Sequence, residues 1–290
     1  MTEPQDPIIP LYRVMYEETV RRALAEDLGR AGDITTDAVV PPSETATALL
    51  IARVPGRIAG LEVACSAFTI LDAGVRTECR SSDGRDAGAG EVLAVIHGPA
   101  RPILTAERTA LNLLGRLSGI ASCTRDIVRS VAGQRCRVIC TRKTTPGLRL
   151  LEKYAVRAGG GANHRFGLDD GVLIKDNHRA IAGSVAEAVR RVRGRVGHMV
   201  RIEVEVDSIE QLDEALRLEV DAVLLDNMTA AQLSQAVRMV GGKLLTEASG
   251  GITPATAPEI AATGIDLLSV GWITHSAPAL DVALDVAARA

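Results

Sequence analysis

The sequence predicts an α/β protein in two parts, a small α/β domain built on an open sheet and then a parallel α/β barrel. Three observations predict it. After about residue 110, apolar runs alternate with amphipathic segments at regular spacing, as strand–helix units do. The runs are nearly continuous in Val, Ile and Leu, which strands covered on both faces require. Each run also finishes on polar or ionisable residues, which a parallel barrel gathers on one rim. At 290 residues and 47% hydrophobic, the chain can bury the core of one large domain or two ordinary ones.

Taken in order, Tyr12–Ala25 reads as a helix. TALLIARV and GRIAGLEVA, on either side of Pro55 and Gly56, then VRTECR and EVLAVIHG, read as short strands around turns. From Thr105 the stretch ERTALNLLGRLSGIASCTRDIVRSV, with leucines at 111, 114 and 117, reads as one long helix or two abutting ones connecting the halves. Beyond it RVICT, GVLIKD, RIEVEVD, AVLLDN, KLLTEASG and DLLSVG alternate with helical segments such as SVAEAVRRVRG and SIEQLDEALRLE, and a closed barrel fits that repetition. The expected domains are residues 1–112, with 277–290 returning to them, and a barrel of residues 113–276.

Composition removes several classes of function. A net charge of −3 with 2% aromatic residues lacks the basic face and stacking rings of a nucleic-acid binder. No cationic leader precedes an apolar core and no apolar run approaches the ~20 residues that span a bilayer, so a cytoplasmic protein without membrane contact is expected. Cys65, Cys79, Cys123, Cys136 and Cys140 form no CxxC pair, and are expected to be reduced and structural, with no zinc site.

The strand ends carry the chemistry. They finish at Thr141-Arg142-Lys143, Lys175-Asp176-Asn177, Glu205 and Asp207, Asp226-Asn227, Glu247 with Ser249, and Gly271. Between Thr141 and Arg179 there are eight Lys or Arg against four acids, so the mouth has a cationic arc facing the acidic arc of Glu205, Asp226 and Glu247. Cations of this density suit a substrate with several carboxylates or phosphates, which Arg grips through paired hydrogen bonds. Carboxylates on neighbouring strands suit Mg²⁺ shared with phosphate oxygens. In EASGGITPATAPEIAA the amides of Ser249, Gly250 and Gly251 are expected to lead into a helix start that attracts phosphate, with Gly271 close by. Arg149, Lys153 and Arg157, at helical spacing, read as a solvated face, and His97, His178 and His198 as structural. Two other readings stay open at this point: Lys175 as the Schiff-base lysine of an aldolase-like barrel, and an anion-binding module or divergent paralogue acting on another acid.

GDITTD, ERTALNLL, TRKTTPGLR, the His164-Arg165 pair, EVEVDS, LLDN, SGGI and SVGWITHSAP occur in an order that resembles the quinolinate phosphoribosyltransferase family over nearly the whole chain. The resemblance implies an open-faced N-terminal α/β sandwich joined to a six- or seven-stranded α/β barrel. It implies transfer of phosphoribose from 5-phosphoribosyl 1-diphosphate (PRPP) to quinolinate with decarboxylation, Mg²⁺ and no organic cofactor. Quinolinate would be held by Thr141, Arg142, His164, Arg165 and Lys175. Arg108 would complete the neighbouring site of a homodimer. Lys143, Glu205 and Asp226 would be catalytic, Glu205 and Asp226 also engaging ribose and the metal. Ser249, Gly250, Gly251, Gly271 and His275 would take the 5-phosphate. Two positions depart from the family pattern, Gly115, where relatives carry a larger polar residue, and Trp272, where they carry a small one.

Overall fold

In the computed structural model of the chain, residues 8–287 are described. The first elements are α1 (Arg13–Leu28), α2 (Ile34–Val39), β1 (Thr45–Ala52), β2 (Gly56–Arg57), α3 (Leu61–Leu71), β3 (Arg76–Cys79), β4 (Asp86–Ala87), β5 (Val92–Pro99) and α4 (Ala100–Ser130). They are followed by β6 (Arg137–Ile139), α5 (Arg149–Ala158), β7 (Val172–Ile174), α6 (Asp176–Ala182), α7 (Val185–Arg193), β8 (Ile202–Val206), α8 (Ile209–Ala215) and β9 (Ala222–Asp226). The last are α9 (Ala230–Val240), β10 (Leu245–Ser249), α10 (Ala257–Ala261), β11 (Leu267–Ser269), α11 (Trp272–His275) and β12 (Val282–Val286). No described helix is long and apolar enough to cross a membrane, and no disulfide joins the five cysteines.

The chain divides into two units. Unit 1 takes Met1–Arg125, Thr144–Gly160 and Ile273–Ala290; unit 2 takes Asp126–Lys143 and Gly161–Trp272.

Unit 1 is built on a four-stranded antiparallel sheet in the order β12-β1-β5-β3. The strand expected in GRIAGLEVA is only two residues long, and LEVA opens α3 instead. Gly60 makes the turn at φ +80, and Asp83 accepts the backbone N–H groups of Gly60 and Leu61 at 2.9 and 3.0 Å, which supplies the helix start with the acceptor its own sequence lacks. Thr105 lies within α4, one unbroken helix of 31 residues.

Close passage of the segment before β12 over α4 explains Gly115. A Cβ there would stand 2.9 Å from the carbonyl oxygen of Leu280, whose N–H already bonds the Gly115 carbonyl at 2.8 Å. One helical turn on, any side chain at Gly119 would overlap the carbonyl oxygen of Pro278. Gly119→Ala is therefore expected to cost about 2–3 kcal/mol, since overpacking against backbone has no rotamer to escape into. A thermal melt should show a midpoint lowered by several degrees.

The same segment is anchored by a buried ion pair. Glu152, 0% exposed, accepts Arg116 Nη2 at 2.8 Å, the Thr145 hydroxyl at 2.7 Å and the Thr145 N–H at 3.0 Å. Arg116 also donates to the carbonyls of Thr274 and Ala277. The solvated face expected for α5 is not there: Lys153 is 0% exposed beside Glu152, because this helix is buried almost all round.

Unit 2 carries six parallel strands in the order β6-β11-β10-β9-β8-β7. Chain order around the sheet, with β11 returning to β6, is that of a barrel. The ring is not closed by a ladder between β6 and β7. Among the described residues the backbone link at this seam is a parallel bridge from Ile139 to Ala162. Ser184, Ser208 and Thr229 cap α7, α8 and α9 by accepting the N–H three residues on, so each crossover helix starts at a fixed point after its strand.

Candidate active site

Strand register in unit 2 sorts the side chains. In β8 the residues Ile202, Val204 and Val206 are buried on one face, which leaves Glu203 and Glu205 on the other. Leu173 pairs with Glu203, so Lys175, two residues on, comes level with Glu205 and binds it, Nζ to Oε2, at 2.9 Å. Ser249 of β10 pairs with both Asp226 of β9 and Ser269 of β11. Alternation thus brings Lys175, Glu205, Asp226 and Ser249 onto one surface of the sheet. Lys175 is half-exposed and ion-paired, unlike the apolar pocket that the Schiff-base reading requires.

The acidic arc has two different parts. Burial, and then the charge of Glu205, holds the Asp226 carboxyl above the usual range, while Lys175 and hydrogen bonds from Ser249 and Asn227 pull the other way. Glu247 is not a rim group. It is 1% exposed, and burial followed by the nearby Glu203 pushes its carboxyl well above the ordinary range. His164 Nε2 lies 2.9 Å from Glu203 Oε2 and 3.5 Å from Glu247 Oε2. Glu203 escaped the sequence reading, although the alternation in RIEVEVD already placed it on the face of Glu205.

The cationic arc is partly desolvated. Arg165 is drawn below the usual guanidinium range by burial and then by the charge of Arg142. Its Nη1 donates to the Gly171 carbonyl at 2.8 Å, and Asp170 accepts the N–H groups of Phe166 and Gly167 at 2.6 and 3.1 Å, closing the loop that bears it. Lys143 N–H donates to the Thr141 hydroxyl at 3.0 Å, which turns the chain directly after β6.

At the glycine loop, Asn227 adopts φ 53 and donates its N–H to the Ser249 carbonyl at 3.0 Å. Gly250, at φ +102, passes so near the Asn227 side chain that a Cβ would overlap it. The helix expected to start at these glycines begins only at Ala257 and is five residues long, because a Thr253–Thr256 turn intervenes. Loop amides, not a long helix dipole, are what this end of the sheet offers an anion. Trp272 Nε1 donates to the Ile252 carbonyl at 2.8 Å and ties down the segment after the glycines.

The remaining candidates, Arg108 and His275, belong to unit 1. Arg108 is exposed on α4, and His275 Nδ1 bonds the Ser276 hydroxyl at 2.6 Å. His178 and His97 have structural partners, the Lys175 N–H at 2.9 Å and the Thr47 hydroxyl at 2.9 Å. A cleft of about 440 Å³ in unit 1, lined by Glu62, Asp83, Tyr154 and Arg157 among others, contains none of the expected site residues.

A barrel-order sheet whose C-terminal strand ends collect cations beside two carboxylates and a glycine loop defines an α/β enzyme of anionic substrates. Family profiles described as the N-terminal and C-terminal domains of quinolinate phosphoribosyl transferase match residues 33–118 and 120–285. The chain belongs to the quinolinate phosphoribosyl transferase family. It is 46% identical to a nicotinate-nucleotide pyrophosphorylase (carboxylating) of Mycobacterium leprae (strain TN) over 93% of this chain and 96% of that one. To a probable nicotinate-nucleotide pyrophosphorylase (carboxylating) of Bacillus subtilis (strain 168) it is 44% identical, over 90% of each. A crystal structure of nicotinate-nucleotide pyrophosphorylase from Ehrlichia chaffeensis superposes with a TM-score of 0.91 at 38% identity, over 96% of this chain and 100% of that one.

Proposed function

We propose that the chain transfers the phosphoribosyl group of PRPP to the ring nitrogen of quinolinate, releasing diphosphate. Loss of the 2-carboxyl as CO₂ then gives nicotinate mononucleotide for de novo NAD biosynthesis. The observation that carries this reading is the placing of Arg165 beside Arg142, where burial first and then the charge of Arg142 draw the Arg165 guanidinium below its usual range. Two guanidiniums held together in this way are matched by adjacent carboxylates of one acceptor. Thr141, Arg142, Arg165 and Lys175 take those carboxylates, and His164 stands with Arg165. Ser249, Gly250, Gly251, Gly271 and His275 take the 5-phosphate.

As diphosphate departs, positive charge grows on the sugar. Glu205 and Asp226 face it with fixed negative charge, while Lys143 neutralises the leaving group. The new bond makes the ring nitrogen formally cationic, and that charge stabilises the carbanion left by CO₂, so no organic cofactor is required. The donor set also fits Mg²⁺: Glu205 and Asp226 are oxygen ligands, and burial followed by the charge of Glu205 raises the Asp226 carboxyl, a cost a dication would relieve. When bound, the ion supplies Lewis-acid neutralisation of phosphate charge. Release of CO₂ and diphosphate with quinolinate, and none with nicotinate or nicotinamide as acceptor, is the expected assay result; comparable turnover with nicotinate would defeat the assignment.

The enzyme works in the cytoplasm as a homodimer in which Arg108 of one chain completes the site of the other. Exposure of Arg108 on α4 supports that role. Arg108→Ala and Lys143→Ala homodimers are each expected to be nearly inactive. Subunit exchange between them makes half the dimers hybrid, each with one intact site, so about a quarter of all sites should regain activity. Mixed variants that exchange but stay inactive would place Arg108 within its own chain's architecture only.

A further inference from the structure

His164 is spent at both ring nitrogens. The backbone N–H of Arg165 donates to Nδ1 at 2.6 Å, so Nδ1 presents its lone pair and the ring proton sits on Nε2. That Nε2–H points to Glu203 at 2.9 Å, with Glu247 at 3.5 Å. The glutamates come from β8 and β10, two strands that flank β9, and they are 8% and 1% exposed. Two strands thus converge on one imidazole, whose far side holds the first atom of Arg165.

We propose that Glu203 and Glu247 are positioning residues that act through His164 on Arg165, fixing where its guanidinium meets the acceptor carboxylate. The inference rests on the reading of Arg165 as a quinolinate ligand. Arg165 is then gripped at two places, its backbone N–H by His164 and its Nη1 by the Gly171 carbonyl, which leaves its remaining donors aimed by the fold. The ligand atoms of His164, Glu203 and Glu247 all lie within 4.8 Å of one another, a spacing that also suits a metal ion. A ring whose Nδ1 accepts an N–H carries its proton on Nε2, the nitrogen that would have to bind the ion.

Steady-state kinetics and quinolinate calorimetry on the full chain test the proposal. Glu203→Ala is expected to raise the KM for quinolinate about tenfold, since it loses the hydrogen bond that holds the ring, and Glu247→Ala, whose carboxylate stands 3.5 Å from the same Nε2, to raise it in the same direction by less, while the KM for PRPP stays within about twofold in both. Glu203→Gln still accepts from Nε2–H and should recover most of the loss. His164→Asn, with an acceptor in place of Nδ1, should bind quinolinate better than His164→Gln, with one in place of Nε2. Thermal melts of every variant separate loss of fold from loss of position, the Gln and Asn changes keeping shape and hydrogen bonding. Equal loss of both substrates, or Asn and Gln variants that are equally weak, would overturn the positioning role. So would Zn²⁺ binding to the wild type that disappears in Glu247→Gln. Failure of the wild type itself to bind quinolinate would overturn the reading of the acceptor site, whereas wild-type binding left unchanged by all these variants would overturn this inference alone.

Discussion

Arg165→Ala is expected to raise the KM for quinolinate by about 100-fold and to leave that for PRPP nearly unchanged. A charge-assisted, two-pronged contact to a carboxylate is worth roughly 2–3 kcal/mol, and that contact is made to the acceptor only. Arg165→Lys should recover little, because an ammonium cannot present the planar fork. Arg142→Ala should behave similarly, but the double variant should lose less than the sum. Removing either guanidinium relieves the repulsion that now weighs on Arg165, so the two changes are coupled. Initial rates against each substrate, with the other saturating, decide the matter; parallel losses for both substrates would mean the clamp belongs elsewhere.

Asp226→Asn should lower kcat by about two orders of magnitude with little change in quinolinate KM, and should also raise the melting temperature. The first effect follows because the carboxylate charge is needed only as the sugar becomes cationic. The second follows from the raised Asp226 carboxyl. A carboxyl that holds its proton more tightly folded than unfolded contributes stability below its ordinary titration that is lost as pH rises through the raised folded one, so its ionised form strains the folded chain at neutral pH. Asparagine removes that strain together with the function. Unchanged turnover at saturating Mg²⁺, or a lower melting temperature, would contradict the assignment.

The barrel strands were legible because their apolar runs are continuous and their polar ends recur at one point of each unit. Other features depended on partners far away in sequence. GRIAGLEVA is apolar enough for a strand or a helix; what makes LEVA helical is Asp83, more than twenty residues on, receiving the first N–H groups of α3. Lys153 has cationic i, i+4 companions, a pattern of solvated faces, yet α5 is buried on nearly every side and its Glu152 takes Arg116 from another helix. Glu247 stands near a strand end in the sequence, whereas its burial against Glu203 and His164 comes from neighbouring strands, which spacing along the chain does not reveal. The seam between β6 and β7 was equally hidden, since periodicity counts strands without saying which pairs share a ladder.

The pairing of β12 with β1, from Ala48 with Val286 to Ala52 with Val282, sets a timetable for biosynthesis. Every residue of unit 2 leaves the ribosome before Val282 does, so the barrel can form while the first sheet still shows β1 as a bare edge. The nascent chain must keep that edge from pairing with another copy until its closing strand arrives, some 230 residues later. A ribosome stall in that interval, or a stop codon placed before residue 282, would leave an intact barrel attached to an aggregation-prone sheet. Chaperone demand during synthesis should accordingly fall once β12 has emerged.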